Sequence, residues 1–153
     1  MEGGKKPRPG DVFELQVEGS VAYLQYLGKH PSYGDAIRIL HTKSLPATAQ
    51  GWCAAVAKGY IVFYPLRSSS AQGLVSMVGH HDKALEVPRT VRRAGARDRD
   101  GRVRRWIIVE GDRIDSSHEV LTAEQRMLPI AGIWNHAMLC KRVLQGWRPE
   151  EEA

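Results

Sequence analysis

Between Asp11 and Leu40 the chain reads as three consecutive strands, and that run restricts it to folds built on a meandering antiparallel sheet. Phe13, Leu15 and Val17 alternate with Glu14, Gln16 and Glu18, the period-two pattern of a strand with one buried and one wet face. Gly19 supplies the turn. Val21, Ala22, Tyr23, Leu24, Tyr26 and Leu27 are then apolar on both faces, which predicts a central strand covered on both sides. Ile37 and Ile39 alternate with Arg38 in a third strand with one open face. The core of this unit is expected to be Phe13, Leu15, Val17, Val21, Leu24, Ile37 and Ile39.

The rest of the chain continues in short elements. Residues 44–58 carry helix-like spacing at Trp52, Ala55 and Val56, with Gly59 as a stop. Tyr60-Ile61-Val62-Phe63-Tyr64, closed by Pro65, is a β-branched and aromatic run that predicts a strand buried on both faces. One helical turn at residues 68–72 and a strand at 74–78 follow. Asp100-Gly101 is the signal for a two-residue type I′ hairpin turn, so strands are expected on either side of it, the outgoing one over residues 103–109. Glu110-Gly111-Asp112 turns the chain into a last strand over residues 114–120. Thr122 with Gln125 has capping-box spacing, and Asn135 is placed to cap a final helix whose Ala137, Cys140, Leu144 and Trp147 form one apolar stripe.

No strand–helix–strand alternation repeats along the chain. The expected class is therefore α+β, mainly β: seven or eight strands in a strongly bent, mostly antiparallel sheet or partly open barrel, with two or three short helices including a C-terminal one. At 153 residues the chain suits one domain, taken as residues 9–148, with residues 1–8 a disordered lead-in and 149–153 a frayed acidic tail. Hydrophobic content of 42% beside 25% charged residues is that of a globular protein, and no apolar run approaches the ~20 residues that span a bilayer. The N-terminus lacks the hydrophobic segment of a secretory signal, and Cys53 and Cys140 lack C-x-x-C spacing, so the expected compartment is the reducing cytoplasm.

Motifs for chemistry are missing. There is no glycine-rich phosphate cradle, Ser68 to Ser70 have no nucleophile elbow, and His80-His81-Asp82 are adjacent residues whose side chains diverge on a strand. Neither an enzyme, a metal site nor a cofactor is expected. Two groups remain as candidates for binding a partner. Tyr26, His30 and Tyr33, with Tyr23, form an aromatic and polar cluster at and after the second strand, of the residue types that anchor protein contacts. Eight arginines lie between positions 89 and 105, among them Arg92, Arg93, Arg104 and Arg105. They account for the net charge of +5, since without them the 17 acids outnumber the remaining cations.

The order of several short signatures resembles the immunity protein 26 family, bacterial proteins predicted to neutralise polymorphic or contact-dependent toxins. They are Gly10-Asp11-Val12-Phe13-Glu14, Ala22-Tyr23 with Gln25-Tyr26, His30-Pro31 with Tyr33-Gly34, Phe63-Tyr64-Pro65-Leu66, Leu121-Thr122 with Glu124-Gln125, Leu128-Pro129-Ile130 and Gly132-Ile133-Trp134-Asn135. The resemblance implies a soluble cytoplasmic inhibitor that binds a cognate toxin protein, and it carries over no catalytic residues. Nuclease-blocking immunity proteins are commonly acidic whereas this chain is basic, so the implied toxin offers an acidic or neutral contact surface to the arginine hairpin. The alternative is a small basic barrel that binds single-stranded nucleic acid through the same arginines and exposed aromatics.

Overall fold

Strand pairing begins where the alternation is clearest. The computed structural model describes residues 6–152, so the first five residues of the expected lead-in, and Ala153, lie outside the described residues. Strands β1 (Asp11–Val17), β2 (Ser20–His30), β3 (Gly34–Leu40), β4 (Tyr60–Phe63) and β5 (Val75–His80) form one antiparallel sheet in the order β4-β3-β2-β1-β5. Strands β6 (Thr90–Ala94), β7 (Trp106–Glu110) and β8 (Arg113–His118) form a second antiparallel sheet in sequence order. Helices α1 (Ala49–Ala57), α2 (Leu66–Ala71), α3 (Ala123–Arg126) and α4 (His136–Leu144), with a 3-10 turn at Pro149–Glu151, complete the described chain. The class is α+β, mainly β, and the open form of the expected architecture holds, since neither sheet closes into a barrel. Among the described residues no helix is long and apolar enough to cross a membrane.

β2 is the middle strand of the larger sheet, as its two apolar faces require. On one face Phe13, Leu15, Leu24, Ile37 and Val62 meet Leu66 of α2, Trp134 and Leu139 of α4. On the other, α1 covers Val12, Tyr23 and Leu40 with Ala55 and Val56, while the second sheet covers Leu27, Ala36 and Phe63 with Val91 and Val109. Of the residues expected in the core only Val21 is half-exposed; the other six are buried. The apolar stripe of α4 is rotated from the expected one. Ala137 and Leu144 face solvent, and Leu139, fully buried, packs inward with Cys140 and Val143, because three- and four-residue steps fit two registers.

The face of β3 that Arg38 was expected to leave open is closed. Arg38 is buried: its Nη1 donates to Gln25 Oε1 at 2.8 Å and to the Ala84 carbonyl at 3.0 Å, and Gln25 Nε2 donates to the His81 carbonyl at 2.9 Å. A loop after β5 is thus fastened over the sheet by two polar side chains, consistent with the rule that buried polar groups find partners.

One segment holds both sheets. Arg92 N–H donates to the Pro129 carbonyl at 2.9 Å and Ala131 N–H to the Arg92 carbonyl at 2.8 Å, while Trp134 N–H donates to the Phe63 carbonyl at 2.8 Å. Residues 129–134 therefore bridge the outer edge of β6 at Arg92 and then that of β4 at Phe63, which interrupts each edge at one residue. Nor is the end of the described chain frayed as expected: Pro149 is buried, and its carbonyl accepts a hydrogen bond from the Arg92 guanidinium.

Candidate interaction surface

The arginine-rich stretch folds as a hairpin that extends β6 and β7 beyond the second sheet. Gly95 N–H donates to the Arg105 carbonyl at 2.8 Å, Arg104 N–H to the Ala96 carbonyl at 2.7 Å and Asp98 N–H to the Arg102 carbonyl at 2.8 Å. The tip differs from the expected type I′ turn. Asp98 and Arg102 close a three-residue loop in which Gly101 alone has a positive φ, +81°, the form of a type I turn followed by a glycine bulge. Asp-Gly serves either turn, and the Asp98 carboxylate decides it by accepting from the Asp100 and Arg102 amides, both at 2.9 Å. The type I′ geometry occurs instead between β1 and β2, where Glu18 and Gly19 both have positive φ.

Arg93, Arg97, Arg99, Arg102, Arg104 and Arg105 are all exposed. Arg97 is folded back on the tip through the Gly101 carbonyl at 2.8 Å, and Arg105 meets Glu119 at 3.1 Å and Ser117 Oγ at 3.0 Å. Asp98 is engaged with the turn's own amides. What remains is a hydrogen-bonded finger with excess positive charge and few internal partners, which can attract a surface bearing carboxylates or phosphates.

Arg92 is no part of that surface. It is fully buried, with its guanidinium 4.3 Å from the centre of the Trp106 ring and hydrogen-bonded to the carbonyls of Pro149, Arg126 (3.2 Å) and Glu152 (3.4 Å). Burial lowers its pKa, and the carboxylate of Glu152 opposes that shift. Arg92 is a core cation that gathers distant carbonyls, a role its position within an arginine run conceals.

The aromatic cluster is likewise interior. Tyr26 is buried and donates to Asp35 Oδ1 at 3.3 Å; burial first, then the Asp35 carboxylate, push its phenol up to about 12. The other oxygen of Asp35 accepts from Arg67 N–H at 3.1 Å, so it caps α2, whose own N-cap is Pro65 with no side-chain hydrogen bond. His30 is buried, its Nδ1 accepts from Ser32 N–H at 3.0 Å, and its ring lies 5.2 Å from that of Phe63. Burial lowers its pKa. Tyr33 is half-buried and stacked on Phe63 at 5.0 Å. His30 and Tyr33 close the β2–β3 turn over Phe63 at the contact between the sheets, while Tyr26 packs in the core on the opposite face of the larger sheet, so Tyr26 and His30 are withdrawn from any contact surface of the folded chain, and Tyr33 offers only one edge.

Two constellations escaped the sequence reading. His80 joins the ends of β5 and β1: its Nδ1 meets Asp11 Oδ1 at 2.9 Å and its Nε2 meets Asp82 Oδ1 at 2.5 Å. The hydrogen bond to Asp11, then that to Asp82, raise its pKa. On α4, His136 lies between the Tyr64 hydroxyl (2.8 Å) and Cys140 Sγ (3.4 Å). His-x-x-x-Cys spacing on an expected helix was the available signal for the latter. Burial raises the Cys140 thiol's pKa, the opposite of what an activated nucleophile needs, and neither group lines the groove beside α4 or the cleft at Trp106. Among the described residues no set of three His, Cys, Asp or Glu side chains is arranged to hold a metal. Comparison with protein-family models, with curated proteins and with solved structures gives no match, so the arginine finger stands on its own geometry.

Proposed function

We propose that the chain is a cytoplasmic binding protein that docks its arginine hairpin against an acidic surface of another protein, and that this partner is a toxin which the chain neutralises. The observation that carries the reading is the pairing of six exposed arginines with the absence of any fully exposed aromatic side chain. Every Phe, Trp and Tyr in the chain lies within the described residues and is buried or half-buried. Binding of single-stranded nucleic acid draws about 1–3 kcal/mol per base from stacking on aromatic faces, and this surface offers none. A carboxylate-bearing protein face needs only the guanidinium forks. The resemblance to immunity proteins supplies the identity of the partner class.

The test is affinity capture from the source cell with the native chain and with the Arg93→Glu, Arg104→Glu, Arg105→Glu variant. The expected result is a polypeptide held by the native chain and lost by the variant, which arrests growth when expressed alone and becomes harmless when the chain is co-expressed. Recovery of DNA or RNA, with an affinity that falls linearly on a log–log salt plot, would reverse the assignment in favour of nucleic acid.

A further inference from the structure

At the end of β2 remote from the second sheet, the larger sheet opens into a groove of about 410 Å³ between the β1–β2 turn, the end of β3 and the C-terminal end of α4. Its floor is apolar, built from Ala22, Ile39, Tyr60, Val143 and Trp147. Its rim carries the cations Lys43, Lys58 and Arg148, with His41 beside them, and no Asp or Glu lines it. Arg148 is already engaged by Glu150 at 2.6 Å and by the Lys58 carbonyl at 2.8 Å, which makes it part of the wall. Lys43 and Lys58 are exposed, and among the described residues neither has an ion-pair partner.

We propose that this groove binds a small amphipathic carboxylate, with an aliphatic body on the apolar floor and its anionic head between Lys43 and Lys58. The volume lies in the lower part of the roughly 300–1,000 Å³ range of small-molecule sites, whereas a folded partner needs a face of about 800 Å². A bare inorganic anion would gain nothing from the floor, and an uncharged alkane nothing from the rim. Only a ligand with both parts uses both, through apolar burial at one end and charge–charge attraction at the other. Burial pushes the Tyr60 phenol up to about 12, so this floor residue is uncharged and raises no repulsion against a carboxylate. The proposal is independent of the toxin reading and uses none of the hairpin arginines.

Decanoate, decanol and decyltrimethylammonium titrated into the full chain by calorimetry test it. Decanoate is expected to bind saturably with a Kd below about 1 mM, at least tenfold more tightly than decanol, with no binding of the cation. The Lys43→Glu, Lys58→Glu variant, altered only at exposed positions, is expected to lose at least tenfold in decanoate affinity and to keep its affinity for decanol. Leu144→Glu, which adds a carboxylate at the exposed edge of the groove, should also weaken decanoate. Equal affinities for decanoate and decanol, an affinity for decanoate that ignores both charge changes, or no saturable binding at about 1 mM would each overturn the assignment.

Discussion

Arg92 and Arg93 are neighbours in β6 and belong to different parts of the molecule. Arg92 is enclosed by Trp106 and by three carbonyls from two later segments, while Arg93 is in water at the base of the finger. Strand parity alone separates them, since successive side chains point to opposite faces. One face of the smaller sheet is roofed by Leu121, Leu128, Ile130 and the 149–151 turn, and the arginine that falls on that side becomes structural. A run of like charge can therefore hold two functions in alternate residues, and composition averages over both.

Substitution at the two positions should separate them by the largest margin. Arg92→Met leaves the three carbonyls without their donor and is expected to cost about 3 kcal/mol or more, read as a lower urea midpoint at unchanged slope. The variant with Arg93, Arg104 and Arg105 changed to Glu should stay within about 1 kcal/mol of the native chain, because exposed ion pairs such as Arg105–Glu119 contribute little. Similar losses in the two would erase the distinction between base and finger.

A smaller effect tests whether the finger is held or merely extended. Gly101→Val forces a β-branched residue to adopt the left-handed conformation at φ +81° and is expected to cost about 1–2 kcal/mol. Asp98→Ala should cost about 1 kcal/mol by releasing the amides of Asp100 and Arg102. Amide hydrogen exchange at those two residues should accelerate in both variants while β7 stays protected, and a uniform acceleration would mean that tip and sheet open together.

The smallest expected change concerns pH. Two carboxylates hold the folded-state pKa of His80 above the ordinary value of about 6.5, so the clasp between β1 and β5 contributes fully below that value and is lost as pH rises through the folded pKa. His30, whose pKa burial lowers, has the opposite dependence, but it is common to the native chain and to His80→Gln and cancels in their difference. The Tm advantage of the native chain over His80→Gln should accordingly shrink as pH is raised from about 5.5 to about 8.5. An advantage that grows over that interval would reverse the assigned protonation.

Local signals were readable where neighbours in sequence settle the conformation. Phe13-Leu15-Val17 set the face of β1, Thr122 with Gln125 forms the capping box, and the Asn135 side chain accepts from Met138 N–H at 2.8 Å to start α4. What escaped the reading depends on partners far along the chain. Arg38 resembles any polar residue alternating with isoleucine until the loop bearing Ala84 comes to lie over it, and Arg92 is indistinguishable from Arg93 until Pro149 arrives. His30 and Tyr26 carry the side chains of a recognition loop, and only the arrival of Phe63 and Asp35 makes them structural. The finger was legible as a hairpin because Asp98 to Arg102 are local, though its turn type rested on one carboxylate that periodicity does not see.

The separation between Arg92 and its partners also sets a timetable for synthesis. The carbonyls it binds lie 34 to 60 residues further along the chain. Counted from the end of β7 at Glu110, and at about 5–20 residues per second, both strands can be complete for roughly 1 to 8 s before those groups leave the ribosome. For that interval a guanidinium destined for the interior has only solvent to pair with, so the smaller sheet should dock late while the larger sheet is already pairing. Slowed translation across residues 126–152 would prolong this half-built state, in which the apolar face around Trp106 and Ile108 is uncovered and open to association with other nascent chains.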